Sequence, residues 1–179
     1  MNDTSLYVRN SSVQCHIRFD QYSLMIWRNN MISFTTGEIQ LFHSKYILSP
    51  SLDRANFEKN FPPDQILFRD VTSNGWYHYF TVCDIRENEF IYSEIIFHQD
   101  CLCSIMFFPQ HSGKDLQYRK LSPLDYNVAN PVCHKWFQDV FSTRIFNITM
   151  SWGTIDFCPG DPVDIEYCPP HIIVEYTNR

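Results

Sequence analysis

Asp100-Cys101-Leu102-Cys103-Ser104-Ile105-Met106-Phe107-Phe108, followed after a polar connection by Asn130-Pro131-Val132-Cys133-His134-Lys135-Trp136-Phe137, is the stretch whose reading decides the fold. A cysteine opens an apolar strand, and a second cysteine sits near the start of a short amphipathic helix. Pro131 suits the first helical position after Asn130 as N-cap, because a first-turn N–H has no helical partner to lose. Trp136, Phe137, Val140 and Phe141 then share one apolar face, so a helix is expected over 131–142. Residues 145–150 read as one more strand. A Cys-Pro-rich tail, Cys158-Pro159-Gly160-Asp161-Pro162-Val163 to Cys168, follows. The helix is expected to end the packed part of the chain.

Upstream, Val13, Cys15, Ile17 and Phe19 alternate with Gln14, His16, Arg18 and Asp20, the period-two mark of a half-buried strand. Leu6-Tyr7-Val8 precedes it across a polar turn. Residues 24–27, 31–34, 39–42, 66–68, 76–83 and 90–97 read as further strands, with hairpin connections at 28–30 and 84–89. Residues 49–65, holding Ser49-Pro50 and Pro62-Pro63, form the longest expected loop. Strands in short hairpin succession with one late helix describe an antiparallel meander. The expectation is a single all-β domain over 1–179: an eight-stranded antiparallel barrel with a C-terminal α-helix and a disulfide-tied tail. A two-sheet sandwich fits the strands nearly as well, and the lone late helix favours the barrel.

The 179 residues are 44% hydrophobic and 16% aromatic, which suits a thick β core or a cavity lined by flat apolar rings. Net charge is −6 and no Lys/Arg cluster occurs, so nucleic acid and anionic membrane surfaces are not expected partners. No apolar run approaches the roughly 20 residues of a membrane-spanning helix. The start lacks a basic n-region and an apolar h-region, so no signal peptide is read in this chain. Seven dispersed cysteines (Cys15, Cys83, Cys101, Cys103, Cys133, Cys158 and Cys168) nevertheless point to an oxidising compartment and long-range cross-links. Sequons at Asn2, Asn10 and Asn147 agree with a secreted glycoprotein, although chance supplies roughly one or two. An odd cysteine count leaves at least one thiol that stays free or pairs between chains, and Cys83, central in its strand, is the candidate.

Catalysis is not expected. The chain has no Gly-x-Ser-x-Gly, no His-Glu-x-x-His and no Gly-rich phosphate loop, and no cofactor is implied. Cys101-x-Cys103 beside His98 lacks the second ligand pair that structural zinc needs, so disulfides are the preferred reading and no metal is expected. Glu94 lies inside an apolar strand in phase with Phe90, Tyr92 and Ile96. It either faces solvent or is paired inside. The candidate lining residues are Trp27, Phe34, Phe42, Trp76, Tyr79, Phe90, Tyr92, Glu94 and Phe107. Period two separates neighbours onto opposite faces without saying which face is inner.

At Cys103-Ser104-Ile105-Met106-Phe107, Asp125-Tyr126 and Asn130-Pro131-Val132-Cys133 to Phe137, the chain resembles the tick salivary lipocalins, the histamine-binding-protein-like family. Leu6-Tyr7, Ser11-Ser12 and the Cys158 to Cys168 segment are similar to its japanin-like members. Cys83 and Cys101 have no counterpart in that pattern, and the family's N-terminal lead-in is missing or very short. The resemblance implies a lipocalin barrel, with Cys103 paired to Cys133 and Cys15 paired to Cys168 first or Cys158 second. It implies a secreted salivary protein that sequesters a small hydrophobic ligand, cholesterol or a related lipid, and modulates host immune and inflammatory responses. Its alternatives are a histamine, serotonin or eicosanoid scavenger, with Glu94 and an aromatic box holding an ammonium, or an outer face that binds a host immune protein or cell.

Overall fold

The computed structural model describes residues 5–10, 13–18, 32–40, 46–86, 89–109, 126–141, 146–164 and 168–177. Strands β1 (Ser5–Asn10) and β2 (Val13–Arg18) pair as a hairpin. β3 (Ile39–Gln40) and β4 (Ile47–Leu48) make a small separate pair. Helix α1 (Arg54–Asn60) and a 3-10 turn lead into β5 (Ile66–Val71), β6 (Trp76–Arg86), β7 (Glu89–His98) and β8 (Cys101–Phe108). Helix α2 (Tyr126–Phe141) follows, then β9 (Ile148–Met150), β10 (Gly153–Cys158) and β11 (His171–Tyr176). Among the described residues no helix is long and apolar enough to cross a membrane.

One antiparallel sheet runs in the order β2-β1-β9-β10-β11-β8-β7-β6-β5. The β-rich, antiparallel reading holds. Among the described residues, however, nine strands share the sheet and it does not close into a barrel. The expected strands at 24–27 and the turn at 28–30 lie outside the described residues.

Besides the expected strand at 31–34, which is a single bridge at Ile32 followed by a turn, three elements depart from the sequence reading. The supposed tail after the helix contributes β10 and β11, which sit in mid-sheet, so α2 does not end the packed chain. Ile172, Val174 and Tyr176 alternate inward there, and Ile172 and Val174 face β8 at Phe107 and Ile105. Secondly, the loop expected at 49–65 contains α1. Asp53 caps it by accepting the Asn56 N–H at 2.7 Å. Phe57 and Phe61 stack one turn apart with ring centroids 4.7 Å from each other, and both are buried. Thirdly, α2 begins at Tyr126, so Pro131 lies inside it rather than at its first position. Asn130 is accordingly not the cap. Its side-chain amide donates instead to the Tyr126 hydroxyl and the Pro159 carbonyl, each at 3.2 Å. Ala129, Cys133 and Phe137, spaced four apart, form the buried stripe.

Strand register builds the core. Tyr79, Ile95, Ile105, Val174, Ile155 and Ile148 are successive partners across six strands, and all are buried. A second row on the same face runs Thr81, Ser93, Phe107, Ile172, Phe157. Phe57 and Phe61, Ile39 and Leu48, and Cys133 and Phe137 belong to the same core cluster, so both helices and the small β-pair contribute to it. Removing apolar surface on this scale from water, at roughly 25 cal/mol per Å2, is the main term favouring the fold.

Gly37 marks a close approach of backbone to an aromatic ring. Its φ is +72°, and a Cβ there would lie 2.5 Å from Cδ2 of Trp152. The Trp152 indole donates to the Phe34 carbonyl at 2.8 Å, and the Tyr176 hydroxyl donates to the Gly37 carbonyl at 3.0 Å. Gly37→Ala is expected to destabilise the protein by about 2–3 kcal/mol, from left-handed strain together with ring displacement. Urea denaturation checks this; an unchanged midpoint would mean that Trp152 does not seat on Gly37.

Candidate functional site

The sheet carries two chemically different faces, and the sequence-derived lining residues are divided between them. Tyr79 and Phe107 lie on the core face, in the two rows described above. Trp76, Tyr92 and Glu94 occupy alternate positions and so the reverse face, where Phe80, Glu94, Met106 and Ile173 are successive partners. Phe34 is half-buried against the core through the 32–40 segment. Phe90 is a β7 position two residues from Tyr92. Trp27 and Phe42 lie outside the described residues.

At the α1 end of the core face, a polar network surrounds Glu58. Its carboxylate accepts from the buried Tyr79 hydroxyl and pairs with Arg54 at 3.2 Å and Arg69 at 3.1 Å. Arg54 also holds Asp100 at 3.2 Å and lies over the Tyr77 ring, 4.1 Å from its centroid. Burial alone would raise the Glu58 carboxyl, but the Tyr79 hydroxyl and the two guanidinium groups together hold it below the usual carboxylate range. Tyr79 is pushed up to about 12, chiefly by burial and then by its bond to Glu58, against the opposing pull of the two arginines. These groups satisfy one another, and the network fixes α1 against β5 and β6.

Away from α1, Thr81 and Ser93 face each other on the core face. Their hydroxyls lie 2.7 Å apart, and both side chains are buried among apolar neighbours. On the reverse face, Glu94 is half-buried and its Oε1 lies 2.7 Å from His78 Nδ1. The lone strand carboxylate therefore has a partner, one that only the β6–β7 register brings to it. Trp76 stacks on His98 at 4.6 Å on the same face.

The cysteines fall into separate groups. Cys103 Sγ lies 3.5 Å from the Cys101 carbonyl oxygen. Cys133 on α2 is fully buried, with Cys158 as its electrostatic neighbour, and Cys158 in turn meets Cys168. Cys15 and Cys83 are positions of β2 and β6. Of the sequons, Asn147 is exposed and donates its amide to Asp156 at 3.0 Å, Asn10 ends β1, and Asn2 lies outside the described residues.

Arg54, Glu58, Arg69, Thr81 and Ser93 escaped the sequence reading. The Asp53 cap and the Arg54–Glu58 spacing of four were legible signs of α1. The Thr81–Ser93 pair had no local sign, because only strand register creates it. No family model, curated protein or solved structure matches the chain.

Tyr79→Phe is expected to cost about 1–2 kcal/mol at neutral pH, since the Glu58 carboxylate loses a donor. Tyr79's folded value is raised from 10.0 to about 12, so its contribution is whole below pH 10 and is lost as pH rises through about 12. The stability gap between wild type and Tyr79→Phe should therefore shrink across that interval. Glu58 has the opposite sign: its contribution is present above the ordinary value of 4.5 and is lost as pH falls below it. Equal gaps for Tyr79→Phe at pH 9 and pH 12 in urea titrations would contradict the assigned bond.

Proposed function

We propose that the protein is a secreted carrier of the tick salivary lipocalin kind, which takes up a small hydrophobic ligand, cholesterol or a related lipid, and so modulates host immune and inflammatory responses. In this reading the sheet rolls around its apolar face into the eight-stranded barrel of that family, with α2 against the wall. The supporting observation is the core face formed by the Tyr79-to-Ile148 and Thr81-to-Phe157 rows, apolar apart from the Thr81–Ser93 pair and the Tyr79 hydroxyl, which would line the interior of such a barrel. The Trp136 ring lies 5.9 Å from Phe107, which brings together the strand and helix segments that carry the resemblance.

A sterol also needs a polar contact for its hydroxyl. Tyr79 is engaged by Glu58, and Tyr92 lies on the reverse face. The Thr81–Ser93 hydroxyl pair on the core face is the contact we assign to it. A second reading, an amine scavenger, draws on Glu94 and its aromatic surroundings. An ammonium ligand there would have to share or displace His78.

Organic extraction of the purified protein followed by mass spectrometry is expected to release a sterol or related lipid. The double variant Thr81→Val, Ser93→Ala should bind a fluorescent sterol about tenfold more weakly, the equivalent of one hydrogen bond of about 1–1.5 kcal/mol. Glu94→Gln should leave sterol binding unchanged. If no lipid is extracted, and serotonin or histamine binds tightly only while Glu94 is intact, the amine reading replaces the lipid one.

A further inference from the structure

The segment joining β10 to β11 gathers three cysteines at one end of the sheet. β10 ends at Cys158, whose partner across the ladder is His171, three residues beyond Cys168. The loop between them folds back on itself: the Asp161 N–H donates to the Cys168 carbonyl at 2.9 Å, and the Cys168 N–H donates to the Asp164 carbonyl at 2.8 Å. Gly160, with φ +74°, lies so close to the returning limb that a Cβ would sit 2.6 Å from the Cys168 carbonyl oxygen. The Cys158 and Cys168 side chains meet within hydrogen-bond reach.

Helix α2 brings the third cysteine. Asn130 holds the Pro159 carbonyl at 3.2 Å, and the His134 ring lies 5.7 Å from that of Phe157. Between those two contacts, Cys133 is buried beside Cys158. Cys15, by contrast, sits on β2, separated from β10 by β1 and β9. Three strand spacings amount to about 14 Å, twice the Cα separation of roughly 7 Å that a disulfide can span.

We propose that Cys158 and Cys168 form a disulfide that closes the β10–β11 loop, with Cys133 retained as a thiol beneath it. The cross-link does not depend on the ligand reading, but a free Cys133 replaces the Cys103–Cys133 pair that the resemblance implies. Two thiols give up two protons and two electrons to a small-molecule disulfide such as glutathione disulfide. The acceptor's S–S bond breaks, the Cys158–Cys168 bond forms, and two glutathione thiols leave. Cys133 stays out of the exchange because burial pushes its thiol far above the ordinary range, leaving almost no thiolate to attack the new bond.

Peptide mapping of the full chain, folded in a glutathione redox buffer, unfolded with iodoacetamide present and digested with trypsin without reduction, tests the assignment. No Lys or Arg lies between residues 145 and 178, so Cys158 and Cys168 share the peptide 145–179, while Cys133 falls in 121–135 and Cys15 in 10–18. Peptide 145–179 is expected unalkylated and lighter than its reduced form by two hydrogens, with Cys133 alkylated. Cys133→Ala should give the same map. Alkylation of both Cys158 and Cys168, a cross-link from 145–179 to 121–135 or to 10–18, or a cross-link from 121–135 to the Cys103 peptide 87–114 would overturn the proposal, as would loss of the internal link in Cys133→Ala.

Discussion

The pairing of β11 with β8 is the contact on which the rest of the architecture depends. It sets Val174 against Ile105 and Ile172 against Phe107, joining a C-terminal hairpin to a meander from which α2, β9 and β10 separate it in sequence. Closing so long a connection is entropically costly, and only extensive burial offsets the cost. Once formed, it aligns the two apolar rows across β6, β7, β8, β11 and β10. Both helices then pack into one core rather than into two small ones. Without it, β5–β8 and the β2-β1-β9-β10-β11 group would be separate sheets.

The period of two does the remaining sorting. Tyr77, Tyr79 and Thr81 turn to one face of β6 while Trp76, His78 and Phe80 turn to the other, and β7 repeats the division with Ser93 and Glu94. Polar groups on either face find partners through that register, Thr81 with Ser93 and His78 with Glu94, or through the docked helix, Tyr79 with Glu58 of α1. An unpaired carboxylate or hydroxyl in these positions would carry a desolvation penalty. The same alternation separates the two ligand readings physically, since a sterol would use the apolar face and an amine the face that holds Glu94.

The outer strand of the meander behaves differently. β5 is exposed along most of its length, with Phe68 at 60% and Val71 at 49% of their full accessibility. Arg69 and Asp70 interrupt this apolar edge, a charge pattern that discourages edge-to-edge pairing with other chains. Arg69 also reaches the Glu58 network, so the edge strand is held on one side by β6 and at its middle by α1. The middle of the sheet, where β10 meets β11, is organised instead by the cysteine-bearing loop and its contact with α2.

Local pattern alone was enough for the β6, β7 and β8 strands, for the late helix and for the antiparallel class, because each is written in periodicity and in short polar connections. It also singled out Glu94 and the cysteine-rich segment. Other features had legible signs that were outweighed. Asp53 and the Arg54–Glu58 spacing marked α1, but flanking prolines read as a loop, and Ile172, Val174 and Tyr176 alternate as a strand should, inside what read as a tail. The helix start was misplaced because Pro131 favours a first-turn position, whereas tertiary contacts of Asn130 and Ala129 carry the helix back to Tyr126. Only the tertiary structure decided which face each strand buries, that His78 holds Glu94, that Thr81 meets Ser93, and that Cys158 lies beside Cys168 and Cys133. Those facts depend on register between strands and on where α2 docks, which are properties of pairs of segments and leave no mark on either segment alone.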